Sequence, residues 1–106
     1  MVEVSFTEQA LSDINDIAEY IGHDSTHYAS LQVEKFFNKT DVLANFPLIG
    51  RIVPELNMKS VRELIEGNYR IIYKVVNKNN IHILTIYHSR RLLKRADVKR
   101  IIRGKN

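Results

Sequence analysis

The sequence contains no cysteine, and it has only two prolines and four glycines among its 106 residues. Without cysteine, a disulfide framework, a zinc–thiolate site and a thiol nucleophile are all excluded. The low proline and glycine content predicts that long disordered segments are absent. No apolar run approaches the roughly 18 residues of a membrane helix, and the first residues do not join a basic region to an apolar stretch, so we expect no secretory signal. These absences predict a small cytoplasmic domain spanning residues 1–106.

Positive charge is concentrated at one end of the chain. The net charge is +4, but residues 90–106 hold eight basic residues and a single acid, whereas residues 1–89 hold eight basic and eleven acidic residues. A concentrated positive end attracts a phosphate backbone or an acidic protein, although the charge alone is equally consistent with a solvated tail. The residues that we expect to contact a partner or a nucleic acid are Arg51, Arg91, Lys94, Arg95, Lys99, Arg100 and Arg103.

Hydrophobic periodicity predicts two helices in the first half of the chain. Thr7 is a good N-cap for the first helix, and Gly22 can end that helix in the left-handed conformation. Asp24 or Ser25 can cap the second helix, which is expected to run to about residue 44. Both helices are amphipathic, and two such helices joined by so few residues predict an antiparallel hairpin whose apolar faces need a third surface to cover them.

Alternating apolar and polar positions predict four strands, over residues 2–6, 61–65, 69–76 and 81–87. The tight turn at residues 77–80, of a kind that tolerates positive φ, makes the last two strands a hairpin. A short helix is expected over residues 97–102. The predicted fold is therefore α+β, in the order β-α-α-β-β-β, with the helix hairpin packed on a mostly antiparallel four-stranded sheet in which the first strand pairs with the last. Candidates for the core are Leu11, Ile14, Ala18, Val33, Phe36, Phe37, Ile72, Ile83 and Thr85.

Arg70 is the most informative charged residue of the predicted sheet. The alternation of its strand places Arg70 on the same face as Ile72 and Lys74, so the guanidinium must bind an anion or reach solvent, because an unpaired buried charge is very costly. The anion is either a bound ligand or a structural partner on the adjacent strand, for which Glu63 and Glu66 are the candidates.

His88, Arg90 and Arg91 close the last predicted strand. Together with Arg70 they form a set that suffices in principle for RNA cleavage without a metal, because arginines stabilise phosphorane charge and an imidazole can protonate the leaving oxygen. The alternative for His88 is a strand-end histidine capped by a backbone carbonyl. The remaining histidines do not form a metal-binding motif, and we expect no metal and no cofactor.

Several segments together resemble the RelE/ParE superfamily of type II toxin–antitoxin toxins. The most specific of them is the Tyr-Arg-Ile-x-Tyr strand, which is followed by a hairpin ending in His-x-Arg-Arg. The resemblance extends over nearly the whole chain, and it rests on residues 50–51, 53–56, 61–64, 67–73 and 83–91. It implies a mostly antiparallel sheet with the helix hairpin packed on it. It also implies a cognate antitoxin, usually encoded beside the toxin, that folds over the toxin in a hetero-oligomer.

The resemblance also implies one of two activities. RelE-like and YoeB-like members cleave messenger RNA on the ribosome, and in that case Arg70, His88 and Arg90 match or lie close to the nuclease residues, with Glu55 as the nearest candidate base. ParE-like members inhibit DNA gyrase and lack those residues. The chain has no tyrosine over residues 93–98, where the RelE-like pattern carries a functional one, and it keeps only Lys59 of the RelE-like lysine cluster.

These departures, the long helix hairpin and the Gly-Arg-x-Val-Pro-Glu-Leu connection at residues 50–56 favour the ParE-like interpretation. The basic C-terminal stretch is then the expected element for engaging gyrase or its complex with DNA. The RelE/YoeB-like nuclease is the second hypothesis. A non-toxic basic module that binds a nucleic acid or a protein is the third, and it differs from the other two in predicting no effect on bacterial growth.

Overall fold

The structure is a computed structural model, and it describes residues 1–90 together with Lys94, Asp97 and Arg100. Within this part of the chain no helix is long and apolar enough to cross a membrane. Asp97 and Arg100 are helical, as predicted for residues 97–102, and the rest of that predicted helix lies outside the described residues. The elements are β1 (Glu3–Phe6), α1 (Glu8–Gly22), α2 (Thr26–Asp41), a 3₁₀ turn (Val42–Ala44), β2 (Arg51–Ile52), β3 (Val61–Glu66), β4 (Tyr69–Asn77) and β5 (Asn80–His88).

The described strands form one five-stranded mixed sheet in the order β1-β5-β4-β3-β2. The predicted α+β order is confirmed, and so is the pairing of the first strand with the last, but that pair is parallel. The predicted four-stranded sheet is wrong by one strand, because two residues of the connection, Arg51 and Ile52, pair with β3. A strand of two residues is too short to show an alternating pattern.

The side-chain caps that start both helices agree with the sequence. Thr7 Oγ1 accepts from the backbone N–H of Ala10 at 3.1 Å, and Ser25 Oγ accepts from that of Tyr28 at 3.1 Å. The expectation for Gly22 is wrong, because Gly22 is the last residue of α1 and the cap that follows it has a right-handed φ of −60°. The turn into α2 is closed by backbone bonds to the last turn of α1, so it needs no left-handed residue.

The turn between β4 and β5 also differs from its prediction. Among the described residues, positive φ occurs at Asn57 and Gly67 and not in the turn over residues 77–80. Asn77 closes the turn instead, because its side-chain oxygen accepts from the backbone N–H of Asn79 at 2.8 Å and from the side-chain amide of Asn80 at 3.1 Å. A side chain that mimics a backbone turn makes a left-handed residue unnecessary here.

The sheet has a core on each face. The larger core lies on the inner face, beneath the helices, and a smaller one lies on the outer face, beneath the segment that joins β2 to β3. Five of the predicted core residues are buried: Ile14, Phe36, Ile72, Ile83 and Thr85. Ala18 and Val33 are half-buried. The prediction is wrong for Leu11 and Phe37, which are 49% and 38% exposed. The helices pack along a line through Ala10, Ile14 and Phe36, and Phe37 lies at the edge of that contact against Phe6.

A β-bulge in β5 reverses the predicted alternation. Thr85 pairs with Ile72 while Ile83 pairs with Tyr73, so Leu84 is an extra residue. Beyond the bulge, Ile86 joins the inner core. In this stretch, β5 is bonded to α1 through Asp13. The Asp13 carboxylate accepts from Thr85 Oγ1 at 2.5 Å and from the backbone N–H of Ile86 at 3.0 Å. The sequence predicts Asp13 on the polar side of α1, and the structure instead uses its carboxylate to join α1 to β5.

Replacing Phe36 with alanine is expected to lower the free energy of unfolding by about 3–5 kcal/mol, because its side chain is fully buried. Its neighbour Phe37 is the matched control, and Phe37→Ala is expected to cost about 1 kcal/mol since its ring is partly exposed. Urea denaturation of both variants measures the difference. Equal losses would contradict the assigned helix face.

Candidate functional site

The candidate site lies on the outer face of the sheet, where an arginine of β4 meets a glutamate of β3. The two strands pair Arg70 with Ile65 and Ile72 with Glu63, and this register directs Arg70 and Glu63 to the same face. The Glu63 side chain is fully buried and Arg70 is 8% exposed. The segment after β2 crosses the same face and brings Glu55 to the guanidinium of Arg70.

Two carboxylates share the Arg70 guanidinium. Nε donates to Glu63 Oε1 at 2.8 Å, and Nη2 donates to the same oxygen. Nη1 donates to Glu55 Oε2 at 2.7 Å, and Nη2 donates to Glu55 Oε1 at 2.9 Å. The contact with Glu55 has the bidentate fork geometry in which arginine matches a planar anion. Protein carboxylates therefore occupy the positions that the oxygens of a bound phosphate would take.

A second arginine and an aromatic ring complete the surroundings. Arg51 lies opposite Glu63 in the β2–β3 ladder and donates from Nε to Glu63 Oε2 at 2.5 Å. Tyr87 pairs with Arg70 across the β4–β5 ladder, and its ring centroid lies 5.6 Å from the Arg70 Cζ, within cation–π range. The formal charges of the two arginines and two glutamates cancel. We call Arg51, Glu55, Glu63 and Arg70 the charge network.

The contact between Arg70 and Glu55 shifts the pKa of both side chains. Hydrogen bonds from Arg70 lower the pKa of the Glu55 carboxyl, and hydrogen bonds from Glu55 and Glu63 raise the pKa of the Arg70 guanidinium against the effect of burial. Glu55 is therefore an anion at neutral pH and Arg70 a permanent cation. The lowered pKa makes Glu55 a weaker base, whereas a general base is most effective when its pKa lies near the operating pH.

Of the alternatives that the sequence leaves open for Arg70, the ion pair with Glu63 is confirmed. Glu66, the other candidate, lies opposite Tyr69 and therefore on the inner face. Within the described residues, no group of three or more carboxylate or imidazole side chains is arranged to hold a metal ion.

His88 lies on the opposite face from Arg70. It pairs with Tyr69 across the β4–β5 ladder, and their rings meet edge to face with centroids 5.6 Å apart. Tyr69 in turn contacts Phe36 of α2, at 5.3 Å between centroids. The Nδ1 atom of His88 accepts from the backbone N–H of Arg90 at 3.2 Å, so the imidazole is held by a backbone donor rather than by a carbonyl. The sheet thus separates the arginine and the histidine that the nuclease hypothesis needs together.

The basic residues beyond β5 are only partly described. Arg90 is exposed beside His88, and Lys94 and Arg100 are also exposed. Asp97 accepts from the backbone N–H of Lys94 at 3.3 Å and from Arg100 Nη2 at 2.6 Å, which links the two positions. Four of the predicted contact residues lie outside the described residues: Arg91, Arg95, Lys99 and Arg103.

The roles of Glu55 and Arg51 in the charge network are not evident from the sequence. Glu55 is far from Arg70 along the chain, and only the fold brings it close. One signal was available, since the apolar side chains of Val53 and Leu56 flank Glu55, and both pack on the outer face in the structure. That spacing indicates a segment that lies against the sheet and carries Glu55 with it.

Comparison with known proteins shows the family. Residues 4–93 match the family described as ParE toxin of the type II toxin–antitoxin system parDE. The chain is 32% identical over 92 residues to Toxin RelE2 of Caulobacter vibrioides, which covers 87% of this chain and all of that protein. It is 31% identical over 88 residues to the putative toxin Y4kP of Sinorhizobium fredii, covering 81% of this chain and 86% of that one.

A solved structure shares the fold. It belongs to the chromosomal ParDE toxin–antitoxin system from P. aeruginosa, with a TM-score of 0.68, 22% identity, and coverage of 83% of this chain and 96% of that chain. The chain therefore belongs to the ParE toxin family of type II toxin–antitoxin systems, within the RelE/ParE superfamily.

Replacing Arg70 with methionine is expected to lower the free energy of unfolding by about 3–5 kcal/mol, because the buried Glu63 then loses its closest cation. Arg51→Met, which removes an arginine with a mostly exposed side chain, is the control and should cost about 1 kcal/mol. In the double variant Glu63→Gln/Arg70→Met the loss should be smaller than the sum of the two single losses. Additive losses in urea denaturation would show that the two side chains are not coupled.

The ion pair of Glu55 is expected to make stability depend on pH. Since the pKa of Glu55 is lowered in the folded state, its stabilising contribution is present above the unfolded value of about 4.5 and is lost as pH falls through the folded value. Glu55→Gln should therefore cost on the order of 1 kcal/mol at pH 7 and progressively less below pH 4. The control is Glu34→Gln, an exposed carboxylate on α2. A difference that stays constant from pH 7 to pH 3 would contradict this account.

Proposed function

We propose that this chain is a ParE-like toxin that binds and inhibits DNA gyrase in the cytoplasm, without catalysing a reaction, and that a cognate antitoxin neutralises it in a hetero-oligomer. The observation that carries the proposal is the occupation of Arg70 by Glu55 and Glu63. An arginine that already binds two carboxylates has to break those bonds before it can bind a phosphate. A non-catalytic inhibitor has no such requirement.

The separation of the other nuclease candidates supports the same proposal. Cleavage without a metal needs a charge-stabilising arginine and a proton donor within reach of one phosphate. Arg70 contacts Tyr87 on the outer face, whereas His88 contacts Tyr69 on the inner face. Groups on opposite faces of one sheet do not reach the same phosphate without a rearrangement.

The exposed basic residues suit a macromolecular target. Arg51 keeps 63% of its side chain exposed although it pairs with Glu63, and Arg90, Lys94 and Arg100 are also exposed. Exposed cations bind phosphate backbones and acidic protein surfaces and speed the encounter with them. We infer that these residues, with Arg91, Arg95, Lys99 and Arg103, contact gyrase or its complex with DNA.

An antitoxin partner is inferred from the family, whose description and whose solved ParDE relative both place the toxin in a two-component system. A second candidate function is favoured by one observation, the 32% identity to a protein named Toxin RelE2. Under that alternative the chain cleaves messenger RNA on the ribosome, and Glu55 must leave Arg70 when RNA binds.

Two assays run in parallel test the choice of target. Purified chain is expected to inhibit supercoiling of relaxed plasmid by gyrase, and primer extension on a translating ribosome system is expected to find intact messenger RNA. His88→Gln discriminates further, since it should change gyrase inhibition by less than about twofold, whereas a nuclease that uses the imidazole as an acid would slow by about 10²–10⁴-fold.

Cleavage within A-site codons with normal gyrase activity would overturn the proposal in favour of the ribosome. Expression of the chain alone in bacteria provides a further control, with growth arrest as the expected result. Normal growth in several hosts, together with neither biochemical activity, would favour the non-toxic binding module.

A further inference from the structure

The segment between the 3₁₀ turn and β2 exposes three apolar side chains side by side. Phe46 is 61% exposed, Leu48 is 59% exposed and Ile49 is 58% exposed. They border a shallow cleft of 390 Å³ that residues 45–49 line. We call Phe46, Leu48 and Ile49 the apolar ridge. Single exposed apolar residues are ordinary, but a contiguous exposed set marks a surface that another molecule covers.

The backbone beneath the apolar ridge is fixed. The Tyr73 hydroxyl donates to Pro47 O at 2.9 Å and accepts from the backbone N–H of Gly50 at 2.9 Å. Arg62 Nη1 donates to Leu48 O at 3.3 Å and to Gly50 O at 3.0 Å. A Cβ on Gly50 would lie 2.6 Å from the Tyr73 hydroxyl oxygen, so that position requires glycine. The ridge therefore presents its side chains from an ordered backbone, which lowers the entropy lost on binding.

The charges around the apolar ridge are positive. Outside the neutral charge network, residues 42–62 contain two charged side chains, and both are cations, Lys59 and Arg62. Arg62 lies directly against the ridge, and its Nε donates to Lys59 O at 3.0 Å, which places exposed Lys59 nearby. A complementary occupant presents apolar side chains together with carboxylates.

We propose that the apolar ridge is a docking surface for the antitoxin, through a segment that is apolar on one side and acidic on the other. The identity of the partner rests on the proposed function, and the chemistry of the segment rests on the exposed side chains and the charges around them. A second copy of the chain is a poorer occupant, because it has the same positive charge of +4 and the same basic rim. Leu48 and Phe46 are the anchors, since they are the two most exposed side chains of the ridge.

The test uses the small protein encoded beside this chain's gene, which is the expected antitoxin. Both proteins are purified, and calorimetry measures the Kd of their complex. Leu48→Ser and Phe46→Ser are each expected to weaken binding by about tenfold or more, as truncation of an interface anchor does. Leu11→Ser is the matched control, because Leu11 is 49% exposed on α1 and the same chemical change there should alter Kd by less than twofold. Lys59→Glu should weaken binding more at low salt than at high salt, because salt screens the interaction between exposed charges.

An unchanged Kd for both ridge variants overturns the inference, and so does a purified pair that does not bind. If the ridge variants lose adhesion to phosphatidylglycerol vesicles and still bind the product of the neighbouring gene, that result overturns the inference in favour of a membrane surface. A second copy of the chain is favoured instead if the parental chain dimerises and the Leu48→Ser variant stays monomeric, while that variant binds the product of the neighbouring gene with unchanged Kd. The supercoiling assay is independent: loss of binding on Leu48→Ser supports the inference whether or not the parental chain inhibits gyrase.

Discussion

The buried carboxylate of Glu63 constrains the whole outer face of the sheet. An ionised carboxylate without solvent is stable only where cations and hydrogen-bond donors surround it. Arg70 and Arg51 meet that requirement from the strands on either side. Arg70 then needs a second anion for the rest of its guanidinium, and Glu55 provides it from the segment after β2. One buried charge thus holds β2, β3, β4 and that segment together.

The same constraint links the fold to the function. Because the charge network is neutral and its arginine is enclosed, the outer face carries a network of ion pairs at the position where the nuclease hypothesis puts a catalytic arginine. Two surfaces remain for partners. The exposed basic residues, Arg51 and those at and beyond the end of β5, are proposed for the target, and the apolar ridge is proposed for the antitoxin. The two surfaces share no residue, so we expect inhibition and neutralisation to be separable by substitution.

Local chemistry made much of the fold predictable. The caps at Thr7 and Ser25, the helix hairpin and the order of the strands follow from side-chain patterns within short stretches. The same alternation placed Arg70 on a face where it required an anion, and Glu63 was one of the partners it suggested. The motifs at residues 67–73 and 83–91 then pointed to the superfamily, which the comparisons confirm. A short stretch of sequence does not show which distant segments pair with each other. Register between distant segments decides the bulge at Leu84, the pairing of the two-residue β2 and the contact of Glu55 with Arg70.

We propose that Arg70 stabilises the protein and takes no direct part in its action. A variant that combines Arg70→Met with Glu55→Gln keeps the net charge of the chain and leaves Glu63 paired with Arg51. The most direct measurement is gyrase supercoiling inhibition by this variant, at a temperature where circular dichroism shows that it is folded. We expect inhibition within about twofold of that by the parental chain, since the variant keeps every proposed contact with gyrase. A folded variant that no longer inhibits gyrase would contradict it.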